Sequence, residues 1–217
     1  MKISTKNSLL GKAADYLGVN KKFNAYSGIN IDPDDSAIIS PVEAKVMKIG
    51  SISSSGTLIS KNNKEIPLED FIGNFTKHFL NGVYINFYLN PSNKHFWVTP
   101  CDGMFIYTHK NSGKSWLPVY IGLENLLGIE MLSKAVIRNA SIASIFKTKN
   151  YLMSIIAVGS LNVNRIHIDY EEMQNYKKGT PCGYFSIGST MLLCFPNHLK
   201  ILIEEKSDVK IGQRILI

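Results

Sequence analysis

No stretch of the 217-residue sequence is long and apolar enough to cross a bilayer. The longest apolar runs, around Tyr151–Gly159 and Met191–Pro196, are strand-sized, against the roughly 18 residues that a membrane helix needs. The first residues carry one early lysine and no long apolar centre, a poor secretory signal. Cysteine is scarce: Cys101, Cys182 and Cys194 show no CxxC spacing. That argues against a disulfide framework and a structural zinc site, and predicts a reducing, cytoplasmic setting. Charged residues are only 19% of the chain beside 45% hydrophobic ones, which excludes a disordered protein. GxGxxG, GxxxxGK[ST], GxSxG and HExxH are all missing. The histidines (His78, His95, His109, His167, His198) have no i,i+4 pairing for a metal, and the adjacent Glu171 and Glu172 read as solvated residues. There is no internal repeat and no run of five like charges.

What is present is a basic, strand-rich chain. The formal charge of +7 favours acidic partners without choosing among nucleic acid, lipid headgroups and acidic substrates. Leu9, Leu10, Ala13, Ala14 and Leu17 fall at helical spacing before Gly18, predicting an amphipathic helix in an N-terminal segment, residues 1–30. From 31 to 217 a single domain is expected. Val83, Ile85, Phe87 and Leu89 alternate with Tyr84, Asn86 and Tyr88, the pattern of a strand over Gly82–Asn90. Further strands are predicted at Lys45–Ile49, Thr57–Ser60, Gly103–Thr108, Ala135–Arg138, Ile142–Phe146, Leu152–Val158, Arg165–Ile168, Thr190–Phe195 and Lys200–Glu204. Helices are predicted over Leu68–Phe79, where Phe71, Phe75 and Phe79 step by four, and over Leu123–Leu132. Short strands with a few helices predict an α+β fold, predominantly antiparallel β.

The tripeptide Gly188-Ser189-Thr190 means little alone, since a tight turn between two strands explains it. Its company is more specific. The stretch GYFSIGSTMLLCFP, ending 21 residues before the C-terminus, resembles the cleavage region of the phosphatidylserine decarboxylase family. Ser40-Pro41-Val42-Glu43-Ala44-Lys45-Val46 is similar to that family's S-P-x-D-G-x-V segment. Asn90-Pro91-Ser92-Asn93-Lys94-His95 and Pro100-Cys101-Asp102-Gly103 resemble its SPxDxH and PxxG blocks. Asn139 stands at its N-E pair, Ala157–Val163 resembles its VGAxxVG strand, and Lys210-Ile211-Gly212-Gln213 resembles its closing segment. These blocks follow one another in the family's order.

The resemblance implies a proenzyme that cuts itself before Ser189. The Ser189 hydroxyl attacks the Gly188 carbonyl, giving a β chain of residues 1–188 and an α chain of residues 189–217, with Ser189 converted to a pyruvoyl group. A side-chain-free residue before the serine permits the strained turn this needs. The implied activity is decarboxylation of phosphatidylserine to phosphatidylethanolamine, with covalent pyruvate as the cofactor and no metal. Glu43 and His95 fall where the family supplies an acid and a base. His95 is the group expected to take the serine proton and later to protonate the decarboxylated product. The implied partners are a phospholipid at a membrane surface, met peripherally from the cytoplasm, and the sister chain from the same precursor; a homodimer stays open.

The sequence departs from the pattern around the expected pocket. Glu43 stands for an aspartate, Ala44 for a glycine, Asn93 for an aspartate that could orient His95, Val98 for a second histidine, and Asn164 for a glycine; Asn139-Ala140 lacks the glutamate. Retained self-processing with altered substrate details is the expectation. The alternatives are a pyruvoyl decarboxylase acting on a soluble amino acid or another serine-headed lipid, and a degenerate, non-catalytic β-rich binding module. The segment Ser40–Gly50 also resembles lipoyl-carrier hairpins, but neither Lys45 nor Lys48 sits at a convincing carrier position. Zinc peptidases with a similar opening need a downstream HxH, which is missing. Nucleic-acid binding has only net charge behind it.

Overall fold

A computed structural model describes residues 3–4, 26, 28–59, 65–90, 92–113, 136, 138–159, 166–185 and 189–217. Its centre is an antiparallel sheet of eight strands. In chain order these are β3 (Ala44–Ser51), β6 (Val83–Leu89), β8 (Gly103–Asn111), β9 (Ser141–Lys147), β10 (Leu152–Gly159), β12 (Asn175–Tyr176), β14 (Ser189–Phe195) and β15 (Asp208–Val209). Their spatial order is β12-β8-β9-β10-β14-β6-β3-β15. A second sheet, in the order β1-β11-β13-β7, joins β1 (Ile3–Ser4), β11 (Ile166–Ile168), β13 (Pro181–Phe185) and β7 (Phe96–Val98). Two small pairs complete the set: β2 (Ile38–Ile39) with β16 (Arg214–Leu216), and β4 (Thr57–Ile59) with β5 (Glu65–Pro67).

The large sheet is covered on both faces, which explains its composition. Ile85, Phe87, Met191, Leu193, Ile155 and Ala157 share a core with Trp97, Ile166, Ile168 and Phe185 of the second sheet. On the opposite face, Tyr84, Leu192, Cys194, Ile156 and Ile145 meet Leu58, Phe71, Ile72 and Phe79. Every residue of β14 is therefore buried, so it reads as an apolar run instead of an alternating strand. The same cover buries Tyr84 and Tyr88 on the face that alternation alone would assign to solvent.

The architecture is α+β and β-dominated, as expected, and most predicted strands are present within two or three residues at their ends. Three local expectations fail. The helix over 68–79 is one α-turn, α1 (Glu69–Ile72), followed by a 3₁₀ segment over Gly73–His78. Gly73, at φ 53°, leaves the right-handed helical region and breaks the run. Phe71 and Phe79 still reach the core, so the apolar spacing had a real target. At Ala135–Arg138, Val136 and Arg138 are helical, not extended. Lys200–Glu204 forms no strand of its own but runs beside β16: Ile201 bridges Leu216, the Lys200 and Leu202 N–H groups donate to the Ile217 and Ile215 carbonyls, and the Ile217 N–H donates to the Lys200 carbonyl. The predicted helices at Leu9–Leu17 and Leu123–Leu132 lie outside the described residues.

Candidate active site

Four strand ends meet at one edge of the large sheet. β14 begins there with Ser189, whose neighbours in the ladder are Leu89, the last residue of β6, and Gly159, the last of β10. β3 begins beside them. It pairs Lys45 with Tyr88, and continuing that register two residues back sets Glu43 alongside Asn90. The turn after β6 brings in the remaining groups. β13 of the second sheet ends at Phe185, whose N–H donates to the His95 carbonyl at 2.7 Å. The segment GYFSIGST thus carries the chain from one sheet to the other and delivers Ser189 to this edge.

Asn93 joins the parts. Its side-chain Nδ2 donates to Glu43 Oε1 at 3.0 Å. Its Oδ1 accepts from the Asn90 N–H at 2.8 Å, and its own N–H donates to the Asn90 carbonyl at 2.9 Å. Its carbonyl oxygen lies 2.6 Å from His95 Nδ1. A carbonyl can only accept, so Nδ1 carries the ring proton and the neutral imidazole keeps its lone pair on Nε2. The aspartate expected before the histidine is not needed to orient it: the backbone carbonyl of Asn93 does so, while the amide holds Glu43.

His95 is 2% exposed. Burial pushes its pKa below the usual histidine value, and the Asn93 carbonyl and the Glu43 carboxylate only partly offset that effect. The imidazole is therefore neutral at neutral pH, the state a general base requires. Val98, where a second histidine was sought, is fully buried in β7, and its N–H donates to the Pro41 carbonyl.

Ser189 is fully buried, and its Oγ has no hydrogen-bond partner among the described residues. A buried hydroxyl without a partner is costly in a merely structural position, by about 1–3 kcal/mol. Ser154 Oγ, within β10, is in the same state among the described residues, so what sets Ser189 apart is its place at the strand edge near Glu43, Asn93 and His95. Next to Ser189, the Thr190 hydroxyl donates toward Asn86 Oδ1 at 2.6 Å and the Phe87 carbonyl at 2.7 Å, which pins the start of β14. Asn139, fully buried, donates from Nδ2 to the Gly159 carbonyl at 2.9 Å and so braces the strand on the other side of Ser189.

Glu43 and His95 are thus joined through Asn93, and Ser189 starts its strand one residue over from the turn that Asn93 closes. Gly188 and Asn164 lie outside the described residues. Asn93 and Asn139 are contributors that sequence reasoning noted only as departures or block members; no spacing rule reveals an amide that bridges two segments 50 residues apart. Among the described residues no three His, Cys, Asp or Glu side chains cluster as metal ligands, and no helix is long and apolar enough to cross a membrane.

Residues 26–217 match the sequence profile of the family described as phosphatidylserine decarboxylase. The phosphatidylserine decarboxylase proenzyme of Anoxybacillus flavithermus is 31% identical over 190 residues, covering 85% of this chain and 69% of the relative. The proenzymes of a Geobacillus species and of Halalkalibacterium halodurans are 29% and 28% identical, covering 85% and 84% of this chain and 70% of each relative.

Proposed function

The chain belongs to the phosphatidylserine decarboxylase family, and we propose that its catalytic carbonyl is made from Ser189 by self-cleavage after Gly188. The reaction is loss of carbon dioxide from phosphatidylserine to give phosphatidylethanolamine. The observation that carries the maturation step is the fully buried Ser189 hydroxyl, without a partner among the described residues, at the strand edge shared with Glu43, Asn93 and His95.

In this reading His95 Nε2 takes the hydroxyl proton as Ser189 Oγ attacks the Gly188 carbonyl, and the proton passes to the departing amide nitrogen. The peptide bond becomes an ester. Removal of the Ser189 Cα proton then expels the Gly188 carboxylate at the end of the β chain. Water enters at residue 189 and ammonia leaves, which balances the conversion of a serine into a pyruvoyl terminus. A pyruvoyl group supplies an electrophilic carbonyl that holds the substrate amine and draws in the electron pair left by carbon dioxide. The chain's own residues do the rest. Glu43 stabilises the charged form of His95, and Nε2 stores the proton that product formation needs.

Cleavage does not release the α chain. β14 is laddered to β10 and β6 on its two sides, β15 to β3, and β16 to β2. Arg214 adds a bridge to Asp32 at 2.9 and 3.1 Å and to Asp34 at 3.0 Å, so an α-chain cation grips β-chain carboxylates. Because the substrate lies in a bilayer, the enzyme is placed at the cytoplasmic membrane surface, attached peripherally through its excess of basic residues. Replacing Ser189 by alanine tests the reading: the variant should persist as one chain and release no carbon dioxide from phosphatidylserine. Decarboxylation by that variant would refute the assignment.

A further inference from the structure

A cavity of about 770 Å³ opens beside Glu43, within the size range of small-molecule sites. Its walls differ in character. Ile29, Ile31 and Ile211 form an apolar side, and Lys94, Lys210 and Arg214 supply cations. The Arg214 charge is taken up by Asp32 and Asp34. The Lys210 ammonium has no ion pair among the described residues, and Lys94, next to His95 in the chain, sets its ammonium 6.0 Å from the Phe96 ring centroid. A ligand suited to this space carries an anion at one end and apolar substance at the other, and presents its reacting end toward Glu43.

We propose that this cavity holds the substrate's headgroup, with Lys94 and Lys210 on the phosphodiester and Ile29 and Ile31 against the glycerol end. The assignment rests on the decarboxylase reading above and adds the residues that select the substrate. Phosphatidylserine offers two anions, and the chemistry decides which one the lysines take. The carboxylate loses its charge as carbon dioxide departs, so a cation held on it would stabilise the starting state more than the transition state and slow the reaction. The phosphodiester keeps its charge throughout. Lysines placed on it contribute equally to ground and transition states, and their loss therefore raises KM and leaves kcat alone.

The test uses matured full-length enzyme and phosphatidylserine held at a low, constant mole fraction in micelles of a neutral detergent, so that attraction to a charged surface is small and the same for every variant. Lys210→Gln is expected to mature as wild type does, to raise KM about tenfold and to keep kcat, with Lys210→Arg within about twofold of wild type. Soluble glycerophosphoethanolamine should inhibit the Lys210→Gln variant about tenfold more weakly than wild type, whereas ethanolamine, which lacks the phosphate, should inhibit both alike. Unchanged KM and inhibition in both Lys210→Gln and Lys94→Gln would overturn the assignment. So would a KM effect confined to anionic vesicles, which would mark the lysines as a membrane-attracting surface. A wild-type chain that neither cleaves nor releases carbon dioxide would instead refute the underlying decarboxylase reading.

Discussion

Replacing Asn93 by alanine probes the organisation of the site most sharply, because one side chain makes two of its connections. The substitution deletes the 3.0 Å bond to Glu43 Oε1 and the 2.8 Å acceptor of the Asn90 N–H. It leaves the backbone carbonyl that faces His95 Nδ1. A hydrogen bond to a carboxylate in a half-buried position is worth about 1 kcal/mol once solvent screening is allowed for, and the neutral bond contributes about 1 kcal/mol more. A loss of about 2 kcal/mol from the cleavage transition state slows it by about thirtyfold. Part of that loss falls on positioning, since misplacement by about 1 Å can lower a rate about a hundredfold. The assay is the time course of conversion of freshly synthesised 217-residue precursor into two chains on a denaturing gel. Thermal denaturation in a Ser189→Ala background keeps folding defects apart from catalytic ones. A folded Asn93→Ala protein that splits at the wild-type rate would refute the bridging role.

Further outcomes follow from the same geometry. His95→Ala should slow cleavage by about 10²–10⁴-fold, the usual reach of a general base, measured by the same gel. The wild-type cleavage rate should rise with pH and level off with a midpoint below the ordinary histidine value of 6.5, because the folded protein resists protonating His95. The sign for stability is the same: the unfolded chain binds that proton more readily, so denaturant titrations should find stability falling as pH drops below about 6.5. Leu193→Ala, in the centre of a fully buried strand, should destabilise the precursor by about 2–5 kcal/mol in a denaturant titration. Arg214→Gln should lower the melting temperature of the cleaved enzyme and ease separation of its two chains in mild denaturant, followed by size-exclusion chromatography.

The β-rich character was legible because Val83–Leu89 and its neighbours are dense in branched and aromatic residues. Which faces they bury was not, since the cover over Tyr84 comes from α1 and β4 and that over Ile85 and Phe87 from the second sheet, all outside the strand's own segment. The helix at Leu68–Phe79 misled because four-residue spacing of phenylalanines reports a buried side, not the backbone that presents it. The short strands β7 and β13 escaped notice: Pro181 and Gly183 weaken any strand signal, yet a Cβ at Gly183 would strike the Trp97 ring at 2.2 Å, so the packing demands that glycine. Ser189, Glu43 and His95 were readable only as members of ordered motif blocks. The bonds that join Glu43 to His95 run through the amide and carbonyl of Asn93, whose partners exist only once β3 and the turn after β6 are side by side.

Incubation of purified protein with a carbonyl-reactive hydrazide, followed by intact mass measurement, tests the central claim most directly. The account predicts two species: an unlabelled chain ending at residue 188, and a chain spanning 189–217 that is lighter by one ammonia than its serine-started form and takes up the label at its first residue. A single unlabelled chain of 24.2 kDa would contradict it.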